Sequence, residues 1–266
     1  MSLIPFFARN WPFANGSGRI LDKWAQNIDL GSSEQSAKTS DGFSMHVLTD
    51  DLIGRHILLS GKFDRSIVQL LLDHARDGDV LLDIGANIGY VTACFLAKVK
   101  RSQAICVEPQ PGIVELLQTN MEQFGDRVVT HQVALSDESG ELRFHIDKAN
   151  RGASRISDDG EIVVSAIAAG KFLRSVVKLD IVKIDVEGHE QAIFTGLRDE
   201  LARLKPRAIL FEDQLQLASP QGAIGSILHG IGYKIYGVDK KLFMTSLVEV
   251  NSSQDCRFND YLALID

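Results

Sequence analysis

Cysteine is scarce. Cys94, Cys106 and Cys256 are the three in 266 residues, odd in number, far apart and without a Cys-x-x-Cys spacing. That excludes a disulfide framework and a structural zinc pattern. Cys94 and Cys106 fall inside apolar runs, where a thiol serves as a small core residue in a reducing compartment. Long apolar runs are missing too: none approaches the roughly 18–20 residues a membrane-spanning helix needs. The apolar start, Met1-Ser2-Leu3-Ile4-Pro5-Phe6-Phe7-Ala8-Arg9, is too short for the apolar core of a secretory leader and has no basic residues before it. It reads as a tail packed on the body, and a cytoplasmic location is expected. An excess of positive charge is also lacking. A net charge of −7 at pH 7 argues against a nucleic-acid or anionic-membrane surface, both of which reward Lys and Arg. No internal repeat or low-complexity segment is present.

What the chain has is enough apolar residue for a full core: 45% hydrophobic, with a mean hydropathy of +0.01. One α/β domain over residues 61–266 with an N-terminal extension over 1–60 accounts for the length. In the extension a helix is expected around Ile20–Ile28, a polar loop over Gly31–Ser36, and a short strand over Phe43–Leu48 after the turn Ser40-Asp41-Gly42. A helix over 64–75 then leads through Gly78 to alternating patterns. Strands are expected at 80–84, 104–108, 128–135, 181–186 and 207–212, and helices at 90–99, 111–123, 189–203 and 221–230. The strands are near-continuous apolar runs, as in a parallel sheet covered on both faces. Further strand-like runs occupy 141–146 and 161–165, with the polar loop 150–155 between them. Tyr233–Val238, a turn at Asp239-Lys240, Leu242–Thr245 and Tyr261–Ile265 read as an antiparallel end to the sheet.

The most informative segment is Asp83-Ile84-Gly85-Ala86-Asn87-Ile88-Gly89-Tyr90, a strand end, a glycine turn and a helix start. Such a turn exposes backbone N–H groups at a helix N-terminus. A second apolar run ends in Glu108-Pro109, where a carboxylate can accept hydrogen bonds from both hydroxyls of a ribose. The spacing indicates a nucleoside cofactor. A dinucleotide needs Gly-x-Gly-x-x-Gly so that backbone can meet the pyrophosphate, but Asn87 and Tyr90 stand where the second and third glycines would be. S-adenosylmethionine carries no phosphate and tolerates that bulk, so it is the expected cofactor; an NAD-dependent reductase is the disfavoured enzyme alternative. Gly85 and Gly89 as mere packing glycines would be the plainer reading of the turn alone.

The second anchor is Lys183-Ile184-Asp185-Val186-Glu187-Gly188-His189-Glu190. It is a buried strand followed by acidic groups and a helix, and in open α/β sheets ligands bind just outside that end of the strands. Asp185, Glu187 and His189 should therefore share a rim with Gly85 and Glu108. Lys183 reads as the structural partner of a neighbouring acid.

With these two segments, Val107-Glu108-Pro109 and Ala134-Leu135-Ser136-Asp137, the chain resembles the FkbM-type S-adenosylmethionine-dependent methyltransferases from about residue 60 to 265. The resemblance implies a Rossmann-like class I methyltransferase fold, a mostly parallel sheet with an antiparallel C-terminal hairpin. It implies O-methylation of a hydroxyl on a sugar, glycan, glycolipid or polyketide-like acceptor. Carried over position by position, it implies that Gly85 and Gly89 cradle the methionine part of the cofactor, with Asp83 near the amino group. Glu108 would hold the ribose, Ala134 and Ser136 would flank the adenine, and Asp185 would sit beside the methyl-transfer centre; Asn87, Tyr90 and Pro109, within the same motifs, are counted with the cofactor-binding residues.

Methyl transfer from a sulfonium is an in-line displacement that depends on alignment, worth about 7–11 kcal/mol. An alcohol must also lose its proton, to a base worth roughly 10²–10⁴-fold. Asp185, Glu187 and His189 are the candidates. Glu187 is the preferred base, because His189 sits where a helix begins and can simply contact a neighbour there. Glu212-Asp213 reaches the same rim and could join Asp185 and Glu187 around a divalent cation, but no closed ligand spacing exists and no metal is assigned. Arg151 and Arg155 lie on a loop able to close over an acceptor. Expected partners are a small-molecule or glycan acceptor and no transmembrane segment. The sequence leaves a homo-oligomer open, and a non-catalytic cofactor-binding module as the alternative function.

Overall fold

The computed structural model describes residues 3–13, 15–25, 28–31, 33–147 and 150–265. Helices α1 (Ile4–Arg9) and α2 (Ser17–Trp24) come first, then strands β1 (Glu34–Lys38) and β2 (Ser44–Leu48) and helices α3 (Leu52–Ser60) and α4 (Arg65–His74). The α/β alternation follows as β3 (Val80–Ile84), α5 (Tyr90–Lys98), β4 (Gln103–Val107), α6 (Ile113–Met121) and β5 (Val128–His131). A smaller insertion holds β6 (Ala134–Ser136), β7 (Gly140–His145), β8 (Arg155–Ile156), β9 (Ile162–Ala168) and α7 (Ala169–Leu173). The chain ends with β10 (Ile181–Ile184), α8 (Glu190–Leu204), β11 (Ala208–Glu212), α9 (Ala223–Ile231), β12 (Lys234–Lys240), β13 (Thr245–Glu249) and β14 (Asp260–Leu264).

The main sheet has the order β13-β12-β14-β11-β10-β3-β4-β5. The run from β11 to β5 is parallel and β14, β12 and β13 are antiparallel. This is the Rossmann-like methyltransferase arrangement that the resemblance implies. Alternate residues of each strand feed two cores. Leu81, Cys106 and Leu210 join Val68, Phe95 and Leu117 of α4, α5 and α6 on one face, while Leu82, Val182 and Phe211 join Phe194, Leu228 and Leu173 of α8, α9 and α7 on the other. Chain order reverses at β3, whose neighbours are β4 on one side and β10 on the other. The crevice beyond their carboxyl ends is therefore the topological switch point.

Several expectations are corrected. The segment expected as one strand over 128–135 breaks at Gln132-Val133. Its first part pairs with β4, and its second joins a separate four-stranded sheet by pairing with β9. The polar stretch expected as a loop over Gly31–Ser36 becomes β1 from Glu34. It is polar because it is the outer strand of a hairpin whose inward residues are Met45 and Val47 of β2. The helix expected to Ile28 runs over Ser17–Trp24; Gln26 and Asn27 of that span, Ser32 of the loop, and Met1 and Ser2 of the apolar start lie outside the described residues. The final turn falls at 241–244 rather than 239–240, since Lys240 still pairs with Thr245. Helix α3 was not expected. Asp51 caps it, accepting from the backbone N–H groups of Ile53 and Gly54, and Ile53 and Ile57 bury one face in the α4–α6 core. Gly54 allows the close packing, because a Cβ there would stand 1.8 Å from the Leu48 carbonyl oxygen.

Candidate active site

One cavity of about 330 Å³ opens at the switch point, a size suited to a small organic ligand. Its walls include Gly85, Ala86, Asn87 and Tyr90, then Glu108, Pro109 and Gln110, Ala134 and Leu135, and the loop Asp185, Val186, Glu187 and His189. The structure thus brings together most of the residues that the sequence selected, from four separate strand ends. Asp83, Gly89 and Ser136 stand one step behind that wall.

The glycine turn has a specific cause. Gly85 adopts φ +75°, and a Cβ there would lie 1.8 Å from the carbonyl oxygen of Asp185. The first turn and the loop after β10 therefore touch backbone to backbone, and only glycine fits between them. The Gly85 and Ala86 N–H groups both donate to the Val107 carbonyl, which ties the turn to β4. At Gly89, φ +86°, a Cβ would press on Leu117 and Met121 of α6. In this chain both glycines admit protein neighbours.

Glu108 is 6% exposed. Its Oε2 accepts from the Asn87 N–H and its Oε1 from the Gln110 N–H, each at 2.9 Å. Burial pushes its pKa up to about 7, with those two N–H groups pulling the other way. A carboxylate offers about four acceptor positions, so two remain free for a ligand.

Asp83 and Lys183 are register partners on neighbouring strands, and both point to the same face. Lys183 Nζ lies 3.3 Å from Asp83 Oδ1 and 3.3 Å from Asp185 Oδ2, and donates to the Gly85 carbonyl at 2.9 Å. Burial alone would lower the Lys183 pKa; Asp83 and Asp185 outweigh it and raise it. Asp83 is fully buried and also accepts from Thr92 Oγ1 at 2.6 Å. Its link to the cavity runs through Lys183, the structural pairing read from the sequence.

The loop after β10 carries the acids. Glu187 sits at φ +54°, a conformation costing a side-chain-bearing residue of order 1–3 kcal/mol. Its Oε2 accepts from Gln214 Nε2 at 2.7 Å. Burial first, then the Asp185 charge, raises its pKa. His189 occupies the cap of α8, with Nε2 2.9 Å from Ser136 Oγ; burial lowers its pKa. Glu190 is buried and accepts from the Val186 and Gly188 N–H groups, folding the loop back on the helix start.

The sequence reading passed over two contributions. Asp64, Lys240 and Asp260 line the cavity as an ion-paired group, with Lys240 Nζ 3.2 Å from Asp64 and 2.9 Å from Asp260. Asp64 lies 176 residues from Lys240, so the group carries no spacing signal. The other is Leu52 and Ile53 of the extension, while Arg151 and Gly152 line the wall from the loop expected to lie over an acceptor. Glu212, at the end of β11, lines the cavity beside Asp185 and Glu187, and one oxygen from each of the three carboxylates falls within 4.8 Å of the others. Acidity alone does not make an ion site, and we assign no metal to it.

A mostly parallel sheet with a crevice at its switch point and a carboxylate just after its second parallel strand is a nucleoside-binding Rossmann-like arrangement. The family model of the methyltransferase FkbM domain matches residues 83–235, more than half of the chain, and the chain belongs to that family. It is similar to the hexuronic acid methyltransferase AglP of Haloferax volcanii, 30% identical over 141 residues covering 52% of this chain and 58% of that protein. It is also similar to the 2-O-methyltransferase NoeI of Sinorhizobium fredii, 26% identical over 174 residues, 58% of this chain and 70% of that one. The match to AglP thus spans little more than half of that relative's length. Among solved structures, the methyltransferase FkbM from Methylobacillus flagellatus aligns with a TM-score of 0.48 at 15% identity, over 79% of this chain and 54% of that chain. No helix among the described residues is long and apolar enough to cross a membrane.

Proposed function

We propose that this methyltransferase uses S-adenosylmethionine and methylates a hydroxyl of a sugar, glycan or related acceptor. The observation that carries the reading is the single cavity in which Glu108, with acceptor positions to spare, shares the switch point with the Asp185–Glu187 loop. The residues fit the cofactor. Glu108, beside Pro109, would take the ribose hydroxyls; Ala134 and Leu135, with Ser136 behind them, would flank the adenine. Gly85, Asn87 and Tyr90, backed by Gly89 and by Asp83 through Lys183, would face the amino-acid part. Bulk at Asn87 and Tyr90 opposes the backbone approach that a pyrophosphate needs. The bound cofactor supplies a methyl group on a good, neutral leaving group.

The chain's own task is then alignment and proton handling. Asp185, Glu187 and His189 stand where the acceptor would meet the cofactor, and the extension, proposed as residues 1–60 beside a methyltransferase domain of 61–266, adds Leu52 and Ile53 to the cavity wall. The relatives named for a hexuronic acid acceptor and for 2-O-transfer support a sugar hydroxyl as the acceptor.

Titration calorimetry tests the reading. S-adenosylmethionine should bind, and Glu108→Ala, which removes two charge-assisted hydrogen bonds to ligand, should weaken it by about 10–100-fold. NADH should not compete. Unchanged affinity in Glu108→Ala would remove the proposed pocket.

A further inference from the structure

Six acidic or basic side chains at the rim could receive a proton from an acceptor hydroxyl, and in five of them no buried oxygen or nitrogen lacks a partner. Asp185 is ion-paired with Lys183, Glu187 accepts from Gln214, His189 contacts Ser136, and Asp64 and Asp260 are held by Lys240. Glu212 differs. Gln214 hydrogen-bonds its carboxyl too, but its Oε2 is buried and accepts no hydrogen bond, while the residue lines the cavity. A buried acceptor without a donor costs free energy, and a proton placed on it removes that cost.

We propose that Glu212 takes the proton of the acceptor hydroxyl. The inference rests on the functional reading above and names the base within it. The acceptor O–H bond breaks and a Glu212 O–H bond forms; the electron pair stays on the acceptor oxygen, which is thereby the nucleophile, and the proton passes to solvent when the product leaves. The groups facing Glu212 suit this role. Asp185 and Glu187 approach it from the loop after β10 and Asp260 from β14, while Gln214 on its own loop opposes them. Burial first, then the Asp185 and Glu187 charges, holds the Glu212 carboxyl well above the usual carboxylate range. It is a stronger base than an exposed glutamate and so closer to the pKa that proton abstraction near neutral pH requires. Asp185 and Glu187 become positioning residues that set its basicity.

The test uses the full chain and two readouts. In Glu212→Gln, kcat with a sugar acceptor should fall by about 10²–10⁴-fold, with the calorimetric affinity for S-adenosylmethionine unchanged and the acidic limb of the pH–rate profile lost. Independently of turnover, the side-chain carboxyl ¹³C resonance that disappears in Glu212→Gln should titrate well above the ordinary glutamate range in the cofactor-free protein. Asp185→Asn should move both that midpoint and the acidic limb of the rate profile to lower pH. A retained acidic limb in Glu212→Gln, a resonance titrating in the ordinary range, or turnover abolished by a chelator and restored by Mg²⁺ would each overturn the assignment. Failure of the unaltered chain to bind S-adenosylmethionine would instead remove the functional reading beneath it.

Discussion

The Glu108 wall and the Asp185 rim are both made by a parallel strand ending in a loop and a helix, yet they treat their carboxyl groups in opposite ways. At the wall, one buried carboxyl meets two backbone N–H groups at 2.9 Å, and no other acid lines that stretch of wall. At the rim, three carboxyl groups share a space 4.8 Å across, and one buried oxygen has no donor. Each region carries one left-handed side-chain-bearing residue, Asn87 at φ +50° and Glu187 at φ +54°. The wall's carboxyl is satisfied and preformed, as a binding surface should be. The rim stores like-charge repulsion, which clusters where chemistry is done. Gly85 joins them, since its backbone touches the Asp185 carbonyl while its N–H holds the Val107 carbonyl.

The largest effect is expected where the two regions share a charge. Lys183 is the buried cation that serves Asp83, Asp185 and the Gly85 carbonyl together. Lys183→Met leaves Asp83 buried without its ion pair, and removing one partner of such a pair costs about 3–5 kcal/mol. Urea unfolding should show that loss. If wall and rim were independent, Lys183→Met would disturb the acceptor KM alone; the shared cation predicts that cofactor affinity falls with it.

Legibility in the sequence follows the same division. Wall residues come from Gly85 to Tyr90 and from Glu108-Pro109, where a strand end, a turn and a fixed interval leave a local signature. The core strands were readable because both faces of a parallel sheet are apolar, and β3, β4, β10 and β11 fall within a residue or two of their expected ends. Glu212 was legible too, as a carboxylate at the end of a neighbouring parallel strand reaching the rim of Asp185 and Glu187. Asp64, Lys240 and Asp260 were not: they come from the start of α4, from β12 and from β14, and meet by topology and not by spacing. The break at Gln132-Val133 was hidden for a related reason: the residues after it pair with β9 in a separate sheet, a partner that no local pattern announces. Ser136 was legible as a motif residue, but its engagement of His189 depends on how the loop after β6 meets α8.

A smaller effect distinguishes wall from rim by pH. Glu108 has a folded pKa of about 7 against an ordinary 4.5, so the folded chain holds that proton more tightly than the unfolded chain. Stability from this group is therefore fully present below its ordinary pKa and is lost as pH rises through the folded value, by up to about 3 kcal/mol. Glu212 and Glu187 are raised as well and add to the slope. Urea unfolding of the cofactor-free chain between about pH 5 and about pH 8 should show falling stability. Glu108→Gln should flatten part of that slope and Glu212→Gln another part; a slope that either variant removes entirely would assign the whole burden to one region.

The smallest effect concerns the clasp over the rim. Arg151 places its two terminal nitrogens 3.1 and 3.2 Å from the carboxyl oxygens of Asp50, and its backbone N–H donates to Asp51 Oδ1 at 2.7 Å. Gly152 lies against Ile53, so the 150–153 turn rests on the start of α3. Farther along the same loop, Arg155 is near enough to Glu187 to oppose its raised pKa, which assigns the loop to the rim. Because Asp50 is 57% exposed, the ion pair itself is worth about 0–1 kcal/mol, and the Asp51 contact survives its removal. Arg151→Ala should therefore leave unfolding almost unchanged while loosening the loop's hold on the acceptor. A rise in the acceptor KM of roughly 2–5-fold, under 1 kcal/mol on the usual scale, with unaltered cofactor affinity, would fix the clasp on the rim. Weaker cofactor binding with an unaltered acceptor KM would move it to the wall.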